Sequence, residues 1–455
     1  MNILSLHLSH EGCATYIENN KIKFHTQIDR YNRFKYFSYP TKHLINIFEK
    51  LPIDTLLLSY GSEDSSLDLW IDVLKTSKKL SKLKVHKTSG EHHLFHAYCS
   101  LTWNKDLKNI LVCDGTGASY KDDFERESFY TFNKDLDHVV TFNKNDGPPI
   151  GLLYEEFTKK HFNNGLDCGK TMAWSIHNKE AFQIQSQFVN QMNELIANLE
   201  IKEEVIFTGG CAQNVLFNQT LLDKFERVFC DPFNSDFGLS LGFANFYCKN
   251  QISNETVYLG IEQNLDTSIF SKHDIVEITP EEVSDILVNH PVAIFQSKSE
   301  QGQRGLGNRS LLMNATHKEA QDKLNKIKKR EWFRPFACSI LEEKAHEWFD
   351  MKINKSPHMM YTFNLKKDKQ GILKSGTSID NKSRIQTVSK KDNLHFYNLI
   401  NSFYKKTQIP LIINTSLNLP GEVVVETMSD LKELFTSSSL CYIYLPETKQ
   451  LIIKK

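Results

Sequence analysis

Two histidines four residues apart, His92 and His96, are a pair whose type and spacing could carry chemistry. They follow the breaker pair Ser89-Gly90 and begin a segment with a helical pattern. Residues four apart on a helix share a face, so both imidazoles can reach one point while His93 points elsewhere. Such a pair is a common helical half of a metal site, although core or surface histidines also occur at this spacing.

Two aspartates at the ends of predicted strands could complete a metal site. Asp114 follows the apolar segment 108–113 and opens a glycine-rich turn, which is a frequent ligand position in α/β sheets. Asp236 stands near the start of a predicted helix, where a lone Asp is more often an N-cap. Two imidazoles and two carboxylates suit Fe(II), Mn(II) or Zn(II) with open positions for substrate.

The segment 205–214 has the pattern of a strand followed by a glycine turn and a helix. Glycines at such a turn let the backbone approach a nucleotide, and the helix N-terminus favours its phosphate. The same reasoning applies to the turn that Asp114 opens. The residues predicted to bind nucleotide are Gly115, Gly117, Gly209, Gly210 and Asn214.

Basic and polar residues gather at predicted turns between residues 300 and 418. Guanidinium groups match phosphate oxygens, and hydroxyl and amide groups beside them add hydrogen bonds. The alternative is an ordinary basic surface, which the Gly, Asn, Ser and Thr content of these turns disfavours. The residues predicted to bind phosphate groups are Arg304, Asn308, Arg309, Lys329, Arg334, Arg384, Thr415, Ser416 and Asn418.

The elements that position these residues are those of an α/β protein with two domains. A chain of 455 residues is too long for one ordinary core. A polar segment at 250–256 precedes a helix-start pattern at Thr279-Pro280, so we place the boundary between 1–255 and 256–455. Helical patterns occupy 41–51 and 67–80, residues 29–35 indicate a basic loop, and no internal repeat is visible.

Composition gives the expected environment. Lys and Arg balance Asp and Glu at 55 each, which argues neither for nor against a nucleic-acid partner. Nine scattered cysteines without a CxxC pair, among them Cys113, Cys230 and Cys441 in apolar runs, favour buried free thiols in a reducing compartment. With no cleavage site and no apolar run of 18 residues, we expect a cytoplasmic protein without membrane association.

Several long motifs in one order resemble the O-carbamoyltransferase family that includes the nodulation, tobramycin and cephem carbamoyltransferases. The strongest, at 295–310, is similar to the family block FQGRxExGPRALGNRS. Further matching segments are 92–97, 114–117, 208–214, 236–242, 328–336, 383–388 and 414–422. The chain departs from the family pattern at Ala118, Ser297-Lys298, Gln303 and 173–176.

The resemblance implies an actin/sugar-kinase-like N-terminal domain of two subdomains and a YrdC-like α/β C-terminal domain. It implies that carbamoyl phosphate and Mg-ATP form carbamoyl-adenylate in the second domain. A hydroxyl acceptor would then take the carbamoyl group in the first domain, at a divalent metal for which Fe(II) is the first expectation. His10 and Lys35 match family positions near the transferred group, and His92, His96, Asp114 and Asp236 match its metal ligands.

The acceptor stays open between two classes. The lysine run 75–87, which contains no acid, favours a hydroxymethylated pyrimidine in DNA such as hydroxymethylcytosine. The balanced overall charge and the family's commonest use favour a small hydroxylated metabolite. A threonylcarbamoyl-type tRNA-modifying enzyme and a non-catalytic nucleotide-binding protein are the alternatives, and a homodimer is one expected assembly.

Overall fold

The computed structural model describes residues 1–60, 66–120, 123–133, 137–142 and 148–455. The chain divides into two compact units, Met1–Glu255 and Thr256–Lys455. This division falls at the same residue as the domain boundary expected from the sequence.

The first unit begins with a five-stranded sheet. Strands β1, β2 and β3 form an antiparallel meander, and β1 pairs in parallel with β4, which pairs in parallel with β5. The parallel strands β1, β4 and β5 therefore end at one edge of the sheet. The strands are Asn2–Leu8 (β1), Cys13–Glu18 (β2), Lys21–Gln27 (β3), Thr55–Tyr60 (β4) and Lys84–Thr88 (β5).

A second sheet in the same unit repeats this arrangement. Its order, β10-β9-β6-β11-β12, has the same sequence of antiparallel and parallel pairings as β3-β2-β1-β4-β5. The duplication confirms the predicted actin/sugar-kinase-like class, although no repeat is visible in the amino-acid sequence. The strands are Asn109–Cys113 (β6), the short hairpin Ser119–Tyr120 (β7) and Asp123–Phe124 (β8), Glu127–Phe132 (β9), His138–Phe142 (β10), Glu204–Thr208 (β11) and Arg227–Cys230 (β12).

The helices of the first unit connect and cover these sheets. The expected basic loop at 29–35 is wrong in part, because Asp29 and Arg30 are buried in a helical turn. The helix expected over 67–80 ends at Thr76. The helices are Asp29–Asn32 (α1), Lys42–Lys50 (α2), Ser66–Thr76 (α3), His92–Leu101 (α4), Ile150–Phe162 (α5), Cys168–Trp174 (α6), Lys179–Asn198 (α7), Val215–Leu221 (α8) and Leu239–Tyr247 (α9).

The second unit is built on a ten-stranded mixed sheet in the order β13-β22-β21-β14-β15-β20-β16-β19-β18-β17. Its core packs aliphatic and aromatic side chains from the sheet against two helices. The strands are Asp274–Glu277 (β13), Val292–Phe295 (β14), Arg309–Met313 (β15), Ala337–Leu341 (β16), Phe349–Asp350 (β17), Thr362–Leu365 (β18), Lys382–Val388 (β19), Leu411–Ser416 (β20), Tyr442–Leu445 (β21) and Gln450–Ile453 (β22).

The helices of the second unit confirm its predicted α/β class. The predicted helix start is confirmed by a capping box, in which the Thr279 side chain accepts from the Glu282 backbone and Glu282 caps Thr279 in return. The helices are Pro280–Asn289 (α10), Ala320–Lys328 (α11), Ala345–Trp348 (α12), Leu394–Thr407 (α13) and Met428–Ser437 (α14).

The nine cysteines are all free. Cys113 and Cys230 are buried, as expected. The expectation is wrong for Cys441, which is exposed because it precedes the edge of β21 rather than lying inside it.

Candidate functional site

Four side chains from three separated segments converge in the first unit. One ligand-type atom from each of His92, His96, Asp114 and Asp236 lies within 4.8 Å of the others. His96 is fully buried, and the other three side chains are at most 17 % exposed. The structure thus brings together the four residues that the sequence proposed as metal ligands.

The atoms of this cluster face one another across short gaps. His96 Nε2 lies 2.9 Å from Asp114 Oδ2, and His92 Nε2 lies 3.4 Å from Asp236 Oδ1. Both Nε2 atoms and Asp114 Oδ2 are buried without a well-formed hydrogen bond in the described structure. Burying such groups without partners costs free energy, so a metal ion that takes all three atoms as ligands fits the arrangement.

Close packing of two helices produces this convergence. A Cβ atom at Gly242 in α9 would lie 1.9 Å from the carbonyl oxygen of Phe95 in α4, so only glycine permits the approach. The rings of Phe95 and Phe243 stack beside it, with centroids 4.6 Å apart. Since Asp236 lies just before α9 and the histidines lie in α4, this contact sets their separation.

Asp114 is positioned at the end of β6 by the neighbouring strand. Gly209 follows β11 with φ +86°, and a Cβ atom there would lie 2.2 Å from the carbonyl oxygen of Cys113. A Cβ atom at Gly210 would lie 2.7 Å from Asp114 Oδ1. These two glycines therefore let the two strand ends approach, a structural role that nucleotide-based reasoning did not anticipate.

The carboxylate of Asp236 is held on both sides. Its Oδ1 faces the two histidines of α4, whereas its Oδ2 accepts a hydrogen bond of 2.8 Å from Ser9 Oγ. His7 Nε2 lies 3.6 Å from the same oxygen, and His7 Nδ1 is 2.9 Å from Ser59 Oγ. Sequence reasoning missed Ser9 and His7, because their relation to Asp236 depends on packing between segments more than two hundred residues apart.

The electrostatics of the cluster follow from burial and opposite charge. Burial alone would lower the pKa of His92, but the carboxylates of Asp236 and Asp114 outweigh it and raise that pKa to about 10. Burial would raise the pKa of Asp114, yet the facing imidazoles of His92 and His96 lower it. The pKa of Asp236 is likewise held well below its usual range by His92 and His10.

The two residues predicted near the transferred group lie in different surroundings. His10 is 47 % exposed, and its Nδ1 lies 3.8 Å from Asp236 Oδ2, so it borders the cluster. Lys35 instead donates to Asp167 Oδ1 at 2.7 Å. Asp167 Oδ1 also accepts a hydrogen bond of 2.9 Å from Tyr36 Oη, and Asp167 Oδ2 lies 3.0 Å from Lys170 Nζ. Lys35 therefore belongs to a small charged network.

The remaining predicted nucleotide-binding residues have structural partners. Asn214 caps α8 by accepting from the Phe217 backbone, and its amide donates to Gln185 Oε1 at 3.0 Å. Cβ atoms at Gly115 and Gly117 would lie 3.6 Å and 2.5 Å from the carboxylate oxygens of Glu155 and Glu125. The turn at Gly117 is thus closed by a buried acid, Glu125, that sequence reasoning did not single out.

The second unit contains a cluster of arginines. The pKa of Arg384 is lowered well below its usual range, first by burial and then by Arg304, Arg330 and Arg334. Burial and Arg334 lower the pKa of Arg304 to about 10, and burial with the same neighbour lowers that of Arg330 to about 9. Burial is the larger cause of these shifts, but each of the three arginines is also lowered by at least one neighbouring guanidinium, so the four groups lie near one another, an arrangement that favours a polyanion.

The structure selects a different lysine from the one predicted beside these arginines. Lys328 is buried and donates to the carbonyl oxygens of Ser416, at 2.6 Å, and Asn418, at 2.9 Å. Lys329 is exposed, since it ends α11 with φ 43°. Lys328 and Arg330 were not predicted, although both lie in the basic motif that contained Lys329.

The side chains of two other predicted phosphate-binding residues form hydrogen bonds within the domain. The guanidinium of Arg309 is buried, lies 3.6 Å from the Phe295 ring centroid and donates to backbone carbonyls of Gln296, Asn308, Ser297 and Glu426. The Asn308 side chain donates to the Lys298 carbonyl at 2.6 Å and accepts from Asn393. These contacts hold the loop 296–309 together.

The last predicted group lies at the end of β20. Ser416 Oγ donates to Asn418 Oδ1 at 2.8 Å, and Thr415 pairs with Leu311 in the sheet. A Cβ atom at Gly305 would lie 2.7 Å from Ser416 Cα, so the segment that carries Arg304 packs directly on this strand end. Hydroxyl groups and guanidinium groups therefore share one region of the second unit.

Comparison with known proteins identifies this region. A family model described as the carbamoyltransferase C-terminus matches residues 283–453. Residues 283–453 therefore belong to the carbamoyltransferase C-terminal family. The matched residues include the arginine cluster, Lys328 and the end of β20, so this carbamoyltransferase domain carries all nine predicted phosphate-binding residues.

Curated relatives extend the similarity towards the first unit. Nodulation protein NolNO of Sinorhizobium fredii is 30 % identical over 343 residues, covering 65 % of this chain and 49 % of the relative. Nodulation protein NolO of Bradyrhizobium diazoefficiens is 34 % identical over 254 residues, covering 51 % and 46 %. The chain thus spans about half the length of the nodulation proteins it matches.

Solved structures overlay only loosely. The activator of a 2-hydroxyisocaproyl-CoA dehydratase from Clostridium difficile gives a TM-score of 0.32 at 10 % identity, covering 56 % of this chain and 100 % of that one. A ROK hexokinase from Thermus thermophilus gives 0.33 at 11 % identity, covering 53 % and 98 %. Among the described helices, none is long and apolar enough to span a membrane.

Proposed function

We propose that the chain is an ATP-dependent O-carbamoyltransferase that works in two stages, with activation in the second unit and transfer in the first. The observation that carries the proposal is that the chain combines a carbamoyltransferase-family domain with two separate clusters of side chains. The first is the buried cluster of His92, His96, Asp114 and Asp236, and the second is the arginine cluster. The histidine and aspartate cluster suits a metal ion, and the arginine cluster suits phosphate groups.

In the activation stage, carbamoyl phosphate loses phosphate to water and the resulting carbamate attacks the α-phosphorus of ATP. The new O–P bond gives carbamoyl-adenylate, and pyrophosphate leaves with the electron pair. Arg304, Arg330, Arg334 and Arg384 bind and neutralise the phosphate oxygens, because guanidinium forks pair with them and mutual repulsion among the arginines is relieved on binding. Mg would accompany ATP.

The residues of the first cluster fit a divalent metal, since their facing nitrogen and oxygen atoms are buried and lack other well-formed partners. Mixed imidazole and carboxylate ligands suit Fe(II) first, with Mn(II) or Zn(II) as alternatives. When bound, such an ion supplies Lewis acidity that stabilises negative charge on oxygen.

In the transfer stage, an acceptor hydroxyl attacks the carbamoyl carbon, and AMP leaves as an O-carbamate forms. His10 takes the hydroxyl proton, because its half-exposed ring can be reached by an acceptor. Burial would lower the pKa of His10, but the carboxylates of Asp236 and Glu11 raise it, so they stabilise the imidazolium that forms. Ser9 and His7 keep Asp236 in place for this role.

The acceptor belongs to one of two classes, a hydroxymethylated pyrimidine in DNA such as hydroxymethylcytosine, or a small hydroxylated metabolite. The lysine run supports the first class: Lys78, Lys82, Lys84 and Lys87 are all exposed. Three of these four flank or lie in β5, which leads directly into the metal-cluster helix α4.

One experiment tests the two stages separately. Full-length protein is supplied with ATP and with or without carbamoyl phosphate, and pyrophosphate release is measured. A panel of hydroxymethylated DNA and polyols is then added, and product masses are read for a gain of one carbamoyl group. We expect pyrophosphate release only when carbamoyl phosphate is present. Equal pyrophosphate release without carbamoyl phosphate, or the absence of a carbamoylated product from every acceptor, contradicts the proposal.

A further inference from the structure

Three aromatic side chains project from one short segment of the first unit. Phe34 is 64 % exposed, Phe37 50 % and Tyr39 40 %. In the part of the chain that the structure describes, only seven Phe, Tyr or Trp side chains are strongly exposed, so three within six residues form a local cluster. We call Phe34, Phe37 and Tyr39 the aromatic rim.

The rings of the rim are arranged as flat surfaces. Phe37 and Tyr39 lie with centroids 5.4 Å apart and an interplanar angle of 8°, so they present nearly parallel faces. Exposing apolar rings to water is unfavourable, and a contiguous exposed apolar patch commonly marks a binding surface. Parallel aromatic faces are suited to a planar ligand.

The backbone under the rim is fixed by hydrogen bonds. Trp70 Nε1, itself buried, donates to the Ser38 carbonyl at 2.5 Å. The Asn32 side chain donates to the Phe37 carbonyl and accepts from the Phe34 backbone, each at 2.8 Å. A fixed platform loses less conformational entropy on binding than a flexible loop would.

The rim borders the transfer cluster. Ser38 Oγ donates to the carbonyl oxygen of Ser9 at 2.5 Å, and a Cβ atom at Gly12 would lie 1.8 Å from the same Oγ. The turn between Ser9 and Gly12 contains His10, whose exposed ring lies 3.8 Å from Asp236. The segment that carries the rim therefore packs on the turn that carries His10.

An exposed lysine lies at the edge of the first sheet where β1, β4 and β5 end. β1 and β5 are both parallel to β4, so the turn that contains His10 and the end of β5 lie at one edge. Lys87, next to the end of β5, is exposed at this edge, and Lys42, three residues after the rim, is exposed as well. Exposed lysines beside aromatic faces are the combination that binds single-stranded nucleic acid, through phosphates and stacked bases respectively.

We propose that the aromatic rim stacks an unpaired base of a DNA strand, and that this base carries the hydroxyl that receives the carbamoyl group. This deepens the proposed function and rests on it for the transfer step. The reacting base must leave the duplex stack or be single-stranded, because the side chains of the metal cluster are at most 17 % exposed and a base within a helix cannot enter such a site.

Binding is tested first, without ATP. Fluorescence anisotropy of a single-stranded oligodeoxynucleotide with one hydroxymethylcytosine is measured for the wild type and for Phe37→Ala, Phe37→Trp and Phe182→Ala. Loss of one stacking ring is expected to weaken binding about 10-fold in Phe37→Ala, while Phe37→Trp retains it. Phe182→Ala is the matched control, since Phe182 is 59 % exposed on α7, away from the rim segment.

The outcomes separate this proposal from the proposed function. Equal binding by Phe37→Ala and wild type overturns the rim assignment, as does rim-dependent binding of RNA or of a polyol in place of DNA. Carbamoyl-phosphate-dependent pyrophosphate release with carbamoylation of polyols alone leaves the proposed function standing and refutes the DNA base. Rim-dependent DNA binding with no carbamoyl-phosphate-dependent release supports the rim and refutes the proposed function.

Discussion

Ser9 Oγ donates a 2.8 Å hydrogen bond to Asp236 Oδ2, on the opposite oxygen of the carboxylate from the one that faces His92. The bond joins the residue just after β1 to a residue 227 positions later. It fixes the rotation of the carboxylate, and groups that orient metal ligands in this way commonly change metal affinity when removed.

Removal of the Ser9 hydroxyl is therefore expected to weaken metal binding. Ser9→Ala should raise the dissociation constant of the metal about 10-fold, measured by competition with a chelator. Ser5→Ala is the control, because Ser5 is a buried serine of β1, four residues before Ser9, whose hydroxyl has no well-formed hydrogen bond in the described structure. Equal affinity of Ser9→Ala and Ser5→Ala would show that Ser9 does not position the ligand.

Adjacent lysines in the second unit should behave differently. Lys328 holds the end of β20 through Ser416 and Asn418, whereas Lys329 is exposed. Lys328→Met should lower carbamoyl-phosphate-dependent pyrophosphate release about 100-fold, because the hydrogen bonds that hold the end of β20 are lost. Lys329→Met should stay within about two-fold. Thermal unfolding of both variants shows whether Lys328→Met is folded, and a larger effect of Lys329→Met contradicts the assignment.

Buried His25 makes the first unit sensitive to acid. Burial lowers its pKa to about 3, so between pH 6.5 and 3 the unfolded state binds a proton that the folded state refuses. Its contribution to stability therefore falls as pH decreases, by about 1.4 kcal/mol per pH unit. In urea unfolding at pH 7.5 and 5.5, His25→Gln should lose less stability than wild type, and exposed His43→Gln should behave like wild type. An equal loss in His25→Gln would count against a neutral buried imidazole.

Gly209 is expected to tolerate no side chain. Its φ of +86° and the 2.2 Å approach of a Cβ atom to the Cys113 carbonyl both oppose Gly209→Ala. We expect a loss of about 2 kcal/mol or more in the free energy of unfolding. Gly169→Ala, in α6 with open space around the added Cβ, should be neutral or slightly stabilising. Similar stability of both variants would show that the strand ends can separate without cost.

The ligand cluster could be predicted because its spacing and placement are local properties. A separation of four residues fixes the common face of His92 and His96, and a strand end fixes the position of Asp114. The duplicated strand order could be predicted only through the family resemblance. Strand pairing depends on side-chain burial in both sheets, and it does not require a repeated amino-acid sequence.

The residues that were missed, and the structural contacts that were not foreseen, depend on tertiary packing. Arg309 has the type and motif of a phosphate ligand, but its guanidinium is turned onto Phe295 and backbone carbonyls. Lys328, the last residue of α11, reaches the end of β20, whereas Lys329 leaves the helix with φ 43°. Ser9 and the aromatic rim become functional candidates only through contacts with Asp236 and Ser38, which no local pattern encodes.

The central claim, that activation and transfer occur at separate sites, is tested most directly by His96→Ala. His96 is fully buried, and its Nε2 faces Asp114 and Asp236. Pyrophosphate release and product mass are measured in the same reaction, with His86→Ala as a histidine control outside the cluster. We predict carbamoyl-phosphate-dependent pyrophosphate release close to wild type with no carbamoylated acceptor; full transfer by His96→Ala, or loss of both stages in a folded variant, would contradict the claim.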